Sequence, residues 1–227
     1  SRYLCNPMEP TEINSPRERL LDAAGEVFAE RGFDGATIRE ITRQAGVNLA
    51  AVNYYFRDKD ELYAATLRHA HTAACSLPYD DEATMTPEQR LYVFVENLLR
   101  RFLDPLRPRW HGQLMAREMA QPTRIFDQVI AEAFRPKCEW LRRALTELCG
   151  GRFQGVELDY VATSIIGQCT FYRQNRHIIQ QIFPGLLAAD DLIERLARHI
   201  TEFSLAAIRH MDTGPSSTTN EHLVKNR

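Results

Sequence analysis

The chain is poor in features that would organise it by chemistry rather than by packing. Its five cysteines, Cys5, Cys75, Cys138, Cys149 and Cys169, stand at long spacings with no C-x-x-C. No disulfide framework or zinc knuckle is expected, and reduced thiols in the cytoplasm fit this usage. No apolar run approaches the roughly 18 residues of a membrane span, so no membrane partner is expected. The first residues, SRYLCNPMEPTEINS, lack the apolar stretch of a secretory signal, and Met8 is a candidate natural start. No segment alternates apolar and polar residues as a strand does. There is no G-x-S-x-G, H-E-x-x-H or Walker loop, so the expectation is no enzyme, no cofactor and no metal. Charge of one sign is also lacking. Lys and Arg number 28 against 30 Asp and Glu, a net charge of −2. Any nucleic-acid contact must come from a local basic surface.

What is present is 227 residues, 44% hydrophobic and 26% charged, enough for one or two domains with a real core. Residues 1–15 read as a flexible arm and 212–227 as a disordered tail. Ser15-Pro16 opens a helix with a cap and a tolerated first-turn proline, carried by Leu20, Ala24, Val27 and Phe28 and ended by Gly32. Thr37 and Glu40 form a capping-box pattern before Ile38, Ile41 and Ala45. Gly46-Val47-Asn48 is a tight turn, and LAAVNYY is a short helix capped by Asn48. Asp58 caps a longer helix running to about Cys75. Three helices with a tight turn between the second and third make a helix-turn-helix.

Beyond the linker the pattern stays helical. Leu91, Phe94, Leu98 and Phe102 form one segment, and Trp110 to Met119 another. Phe126 to Leu148 is a long pattern that Pro136 should kink or split. About Val156 to Phe183 reads as one helix. Ile193, Leu196, Ile200, Phe203 and Ala207 repeat at 3, 4, 3, 4, the seam of a helix on a helix. The expectation is an all-α chain of about nine helices, with a helix-turn-helix domain at 16–67 and a larger helical domain at 76–211.

The run TIREITRQAGVNLAAVNYYFRDKDELY, with VFAERGFDGAT before it, resembles the DNA-binding domain of the TetR family of bacterial transcriptional regulators. The likeness covers about Pro16 to Leu67. Asn53, standing where most of that family has Tyr, resembles the CecR-type subgroup, and the rest of the chain is similar to it in helical layout. The resemblance implies a homodimeric repressor that binds a pseudo-palindromic DNA operator and is released by a small-molecule effector. It implies that Thr37, Tyr54, Tyr55 and Lys59 grip phosphates and that Arg39 reaches a base edge. Asn48, Leu49, Ala50, Ala51 and Asn53 would complete the reading surface, with the alanines and Leu49 suited to thymine methyls and Asn53 to adenine. Arg39, Arg43, Arg57 and Lys59 outnumber Glu40 and Asp58 by two, a modest local excess of positive charge.

The family's effector cavity would draw on Phe94, Leu98, Phe102, Trp110, Met115, Met119 and Phe126, which otherwise read as core. Arg173 and His177, four apart in FYRQNRHII, could orient an anionic or polar effector or simply be solvated. The dimer surface would be the last two long helices, with the seam Ile193, Leu196, Ile200, Phe203 and Ala207 facing either a partner or the chain's own core. His69 and His71, two apart on a helix, point away from each other and are not a metal pair. Two other readings stay open: a DNA-binding factor of this fold without a small-molecule switch, and an all-α enzyme.

Overall fold

The computed structural model describes residues 15–72 and 84–211. The expected arm, most of the linker, the tail from 212, Cys5 and Cys75 lie outside the described residues. Every regular element among the described residues is helical.

Helix α1 (Pro16–Gly35) begins with a reciprocal capping box: Glu18 N–H donates to Ser15 Oγ at 3.2 Å and Ser15 N–H to Glu18 Oε2 at 2.8 Å. It does not end at Gly32. Gly32 adopts φ 75°, open to glycine, and the helix resumes beyond this kink. Helix α2 (Ile38–Ala45) forms only half of the expected capping box. Thr37 Oγ1 accepts from Glu40 N–H at 3.2 Å, but the Glu40 carboxylate turns to Arg31 at 2.7 Å. Gly46 ends α2 in the left-handed region at φ 64°. Asn48 Oδ1 caps α3 (Leu49–Phe56) by accepting from Ala51 N–H at 3.0 Å. Asp58 Oδ1 caps α4 (Lys59–Thr72) by accepting from Glu61 N–H at 2.8 Å, which holds its carboxyl below the usual range.

Then come α5 (Pro87–Leu103), α6 (Arg109–Ala120) and α7 (Arg124–Val129). A π-helical turn, Ile130–Phe134, joins α7 to α8 (Arg135–Cys149). The split at Pro136 was expected. Its ring opposes the carbonyl four residues back, at Glu132, and the widened turn holding Glu132 makes room for it. The segment expected as one helix from 156 to 183 is two, α9 (Val156–Gln174) and α10 (Arg176–Ile182), broken at Asn175. Helix α11 (Leu192–His210) closes the described chain.

Packing divides these helices into two compact units, and the division is not the boundary at 76 expected from the sequence. The first unit takes residues 15–72 together with Arg107–Ala133, and the second takes 84–106 with 134–211. In the first, α1 packs on α2, α4 and α6, and α4 on α6 and α7. Leu20, Ala24, Phe28, Ile41, Leu62, Leu67 and Leu114 are fully buried. The reason α6 belongs here is steric. A Cβ on Gly25 would come within 2.3 Å of the Trp110 ring, so the indole lies against bare backbone of α1. Below it, buried Glu118 of α6 accepts from the Tyr63 hydroxyl of α4 and from Thr123 N–H at 2.8 Å. In the second unit α5 is central, contacting α8, α9 and α11, with Leu91, Val95, Leu99, Leu141, Leu145, Ile165 and Cys169 in its core.

Candidate nucleic-acid interface

The first unit carries a short, sharply bounded ridge. Helix α3 buries Val52 and Phe56, four apart, and turns its other side outward. Leu49 is 58% exposed and Tyr54 82%, large apolar areas left in solvent at a surface with no internal use for them. Ala50, Asn53 and Asn48 are exposed, and Ala51 and Tyr55 half-buried. Tyr54 and Tyr55 meet edge to face with ring centres 4.8 Å apart. A shallow groove runs along this ridge, lined by Pro16, Val47, Asn48, Ala51, Tyr54 and Tyr55. Sequence reasoning missed Pro16, because nothing local announces a neighbour more than thirty residues away. Val47, in the turn before α3, is half-buried at the groove.

The cations of the segment are not equivalent. Arg57, in the left-handed region at φ 56°, is tied to Asp58 at 3.2 Å and Glu61 at 3.7 Å. Arg39 is exposed on the first turn of α2, and no ion pair among the described residues claims it. Lys59 opens α4 with its Nζ 4.6 Å from the centre of the Phe33 ring, a cation–π contact that holds the ammonium at the helix start. Thr37 is exposed at the N-terminus of α2, where the helix dipole favours an anion. The structure thus brings Asn48, Leu49, Ala50, Ala51, Asn53, Tyr54 and Tyr55 onto one element, with Thr37, Arg39 and Lys59 at the starts of α2 and α4.

The expected cavity residues fare differently. Phe94, Leu98 and Phe102 stand four apart on α5 in the second unit, Phe94 buried and the other two half-buried. Trp110, Met115, Met119 and Phe126 are in the first unit. Trp110 is committed to packing on Gly25, Phe126 is buried and Met119 is exposed. Arg173 and His177 do not share a continuous helix, because Asn175 at ψ 19° breaks it between them. Arg173 is half-buried, its guanidinium 5.8 Å from the centre of the Phe102 ring, while His177 is exposed.

The expected seam on α11 also divides. Leu196 and Ile200 are buried in the second unit's own core, and Ile193 packs against it. They are not free to meet a partner. Phe203 is 59% exposed, and with half-buried Ala207 it lines a groove of about 250 Å³ against Tyr160, Ser164, Gln168 and Met211. Among the described residues no group of three or more His, Cys, Asp or Glu could hold a metal ion, and no helix is long and apolar enough to cross a membrane.

Comparison with known proteins places these features in a context. The sequence pattern described as "Bacterial regulatory proteins, tetR family" matches residues 20–66, and that described as "HTH-type transcriptional dual regulator CecR, C-terminal domain" matches residues 87–208. The chain is 36% identical over 58 residues to the HTH-type transcriptional repressor AcnR of Corynebacterium diphtheriae, covering 26% of this chain and 30% of that protein. It is 46% identical over 52 residues to the HTH-type transcriptional regulator BetI of Escherichia coli, covering 23% of this chain and 27% of that protein. The match therefore spans less than a third of these curated relatives. The transcriptional regulator FadR of Bacillus subtilis, solved with stearoyl-CoA, superposes with a TM-score of 0.61 over 83% of this chain and 97% of that one at 19% identity, a likeness of fold.

Proposed function

The chain belongs to the TetR family of bacterial regulatory proteins, with a C-terminal domain of the CecR type, and from that premise we propose that it is a sequence-specific DNA-binding transcriptional regulator. It acts in the cytoplasm as a homodimeric repressor, without catalysing a reaction. The observation that carries this is the outward ridge of α3, where Leu49 and Tyr54 stay exposed while Val52 and Phe56 anchor the helix. An eight-residue helix with small side chains at its start fits a major groove without collision.

In this reading Leu49, Ala50, Ala51 and Asn53 meet base edges, Asn48 both caps the helix and borders the groove, and Arg39 reaches a guanine. Thr37, Tyr54, Tyr55 and Lys59 hold phosphates and set the register. The dimer forms through the exposed side of α9 and α11, where Tyr160 and Phe203 stay in solvent around their groove. Two copies then present two ridges to half-sites about one helical turn, or a multiple, apart. A small-molecule effector releases the operator by binding one dimer shape better than the other. The half-exposed wall of Leu98 and Phe102, with Arg173 over it, is the part of the expected cavity retained for that effector. The same fold in FadR holds stearoyl-CoA, which supports a small-molecule reading.

Footprinting on DNA flanking the protein's own gene tests the reading. Two protected half-sites at the spacing of a duplex turn are expected, with affinity falling steeply as salt rises. Uniform, sequence-blind protection or none would overturn it.

A further inference from the structure

The longest acid-free stretch of the second unit runs from Tyr160 to Ala189. It holds no Asp or Glu, and its charged side chains are Arg173 and Arg176, with His177 beside them. Three other arginines of this unit are answered by carboxylates. Arg100 bonds Glu96 and Glu194, Arg90 bonds Glu147, and Arg142 bonds Asp159. Arg173 is half-buried, yet no carboxylate among the described residues stands within bonding reach of it. Burial alone pushes its proton affinity down, and no neighbouring charge offsets that. The last-turn carbonyls of α9 supply a partial negative charge but no counter-ion.

Its geometry suits a ligand. The guanidinium carbon lies 5.8 Å from the centre of the Phe102 ring, and its N–H groups meet no carboxylate among the described residues, so they can donate to an acceptor on a ligand. Phe102 continues the half-exposed wall begun by Leu98 one turn earlier on α5. An uncompensated cation beside an apolar wall matches a molecule with an acidic head and an apolar body.

We propose that Arg173, its guanidinium close to the Phe102 ring, is the head-group anchor for a small amphipathic organic anion, and that this is the chemical class of the effector. The assignment of that anion as effector rests on the regulator reading above; the anion site itself does not.

Two fluorescent probes test it on the full chain: 8-anilinonaphthalene-1-sulfonate and N-phenyl-1-naphthylamine, the same skeleton without the sulfonate. The sulfonate probe binds wild type saturably. Arg173→Gln weakens it by about tenfold while the neutral probe changes by less than about twofold, as loss of a charge-assisted bond requires. Arg173→Lys keeps most of the sulfonate affinity, and Arg176→Gln leaves it unchanged. No saturable sulfonate binding to wild type, equal losses of both probes, or an unchanged sulfonate affinity in Arg173→Gln would each overturn the site. Footprinting of wild type without probe is read separately. A clear footprint with failed probe binding sinks only the anion site, and a missing footprint with the expected probe ratios sinks only the regulator reading.

Discussion

Arg39 and Lys59 divide their work by position. Arg39 is an exposed fork without an ion pair among the described residues, whereas Lys59 is a point charge fixed over Phe33. Arg39→Ala should cost about 1–3 kcal/mol of discrimination at one base position while leaving affinity for scrambled duplex nearly intact. Lys59→Ala should weaken both duplexes alike and flatten the salt dependence by about 0.9 in slope. Titrations of operator and scrambled DNA over a salt series separate the two, and identical profiles would refute the division. A second residue-scale consequence concerns pH. His111 Nδ1 accepts from Arg107 Nε at 2.9 Å, and burial, Arg107 and His69 together push its imidazole down to about 3 from the ordinary 6.5. Below pH 6.5 the unfolded chain takes up a proton there that the folded chain refuses, so this group's contribution to stability falls as pH drops toward 3. Urea midpoints at pH 7 and pH 4.5 should therefore differ less in His111→Gln than in wild type. An equal drop in both would place the acid sensitivity elsewhere.

At the scale of elements, the contact of Gly25 with Trp110 is what docks α6 on α1. The ring atoms facing Gly25 are rigid, so an added methyl cannot be absorbed by a side-chain swing. Gly25→Ala should destabilise the fold by about 1–3 kcal/mol, despite its better helix propensity. In a Trp110→Ala background the same change should be close to neutral, and thermal unfolding of the four proteins would show this non-additivity. Additive losses would mean that the two residues do not meet. The resemblance to a known domain made α2, the turn at Gly46 and α3 legible in the sequence, and local caps made their ends so. The break of 156–183 at Asn175 was not legible, because FYRQNRHII keeps helical composition across it and carries neither Gly nor Pro.

For the whole molecule, the division of the α11 seam gives a test of the dimer. Phe203→Asp with Tyr160→Asp should yield a folded monomer in sedimentation, with operator affinity falling by a hundredfold or more as the two-site advantage is lost. Leu196→Ala should instead cost stability, about 2–5 kcal/mol, because it opens a cavity in the second unit's own core. A dimer that persists in the double variant would move the interface away from α9 and α11.

Helical periodicity, caps and the helix-turn-helix spacing are properties of neighbouring residues, so α1 to α4 and the candidate contacts Thr37 to Lys59 could be read in order along the chain. Which unit each helix joins is a different kind of property. The sequence assigned α6 and α7 to the C-terminal domain by their position, but Gly25 and Trp110 meet across eighty-five residues, and only folding brings the missing Cβ to the indole. Likewise the repeat 3, 4, 3, 4 on α11 states that a seam exists without stating what covers it. Leu196 and Ile200 face inward and Phe203 outward because α5 and α9 take up one side of that helix, a competition for surface that the packed helices settle.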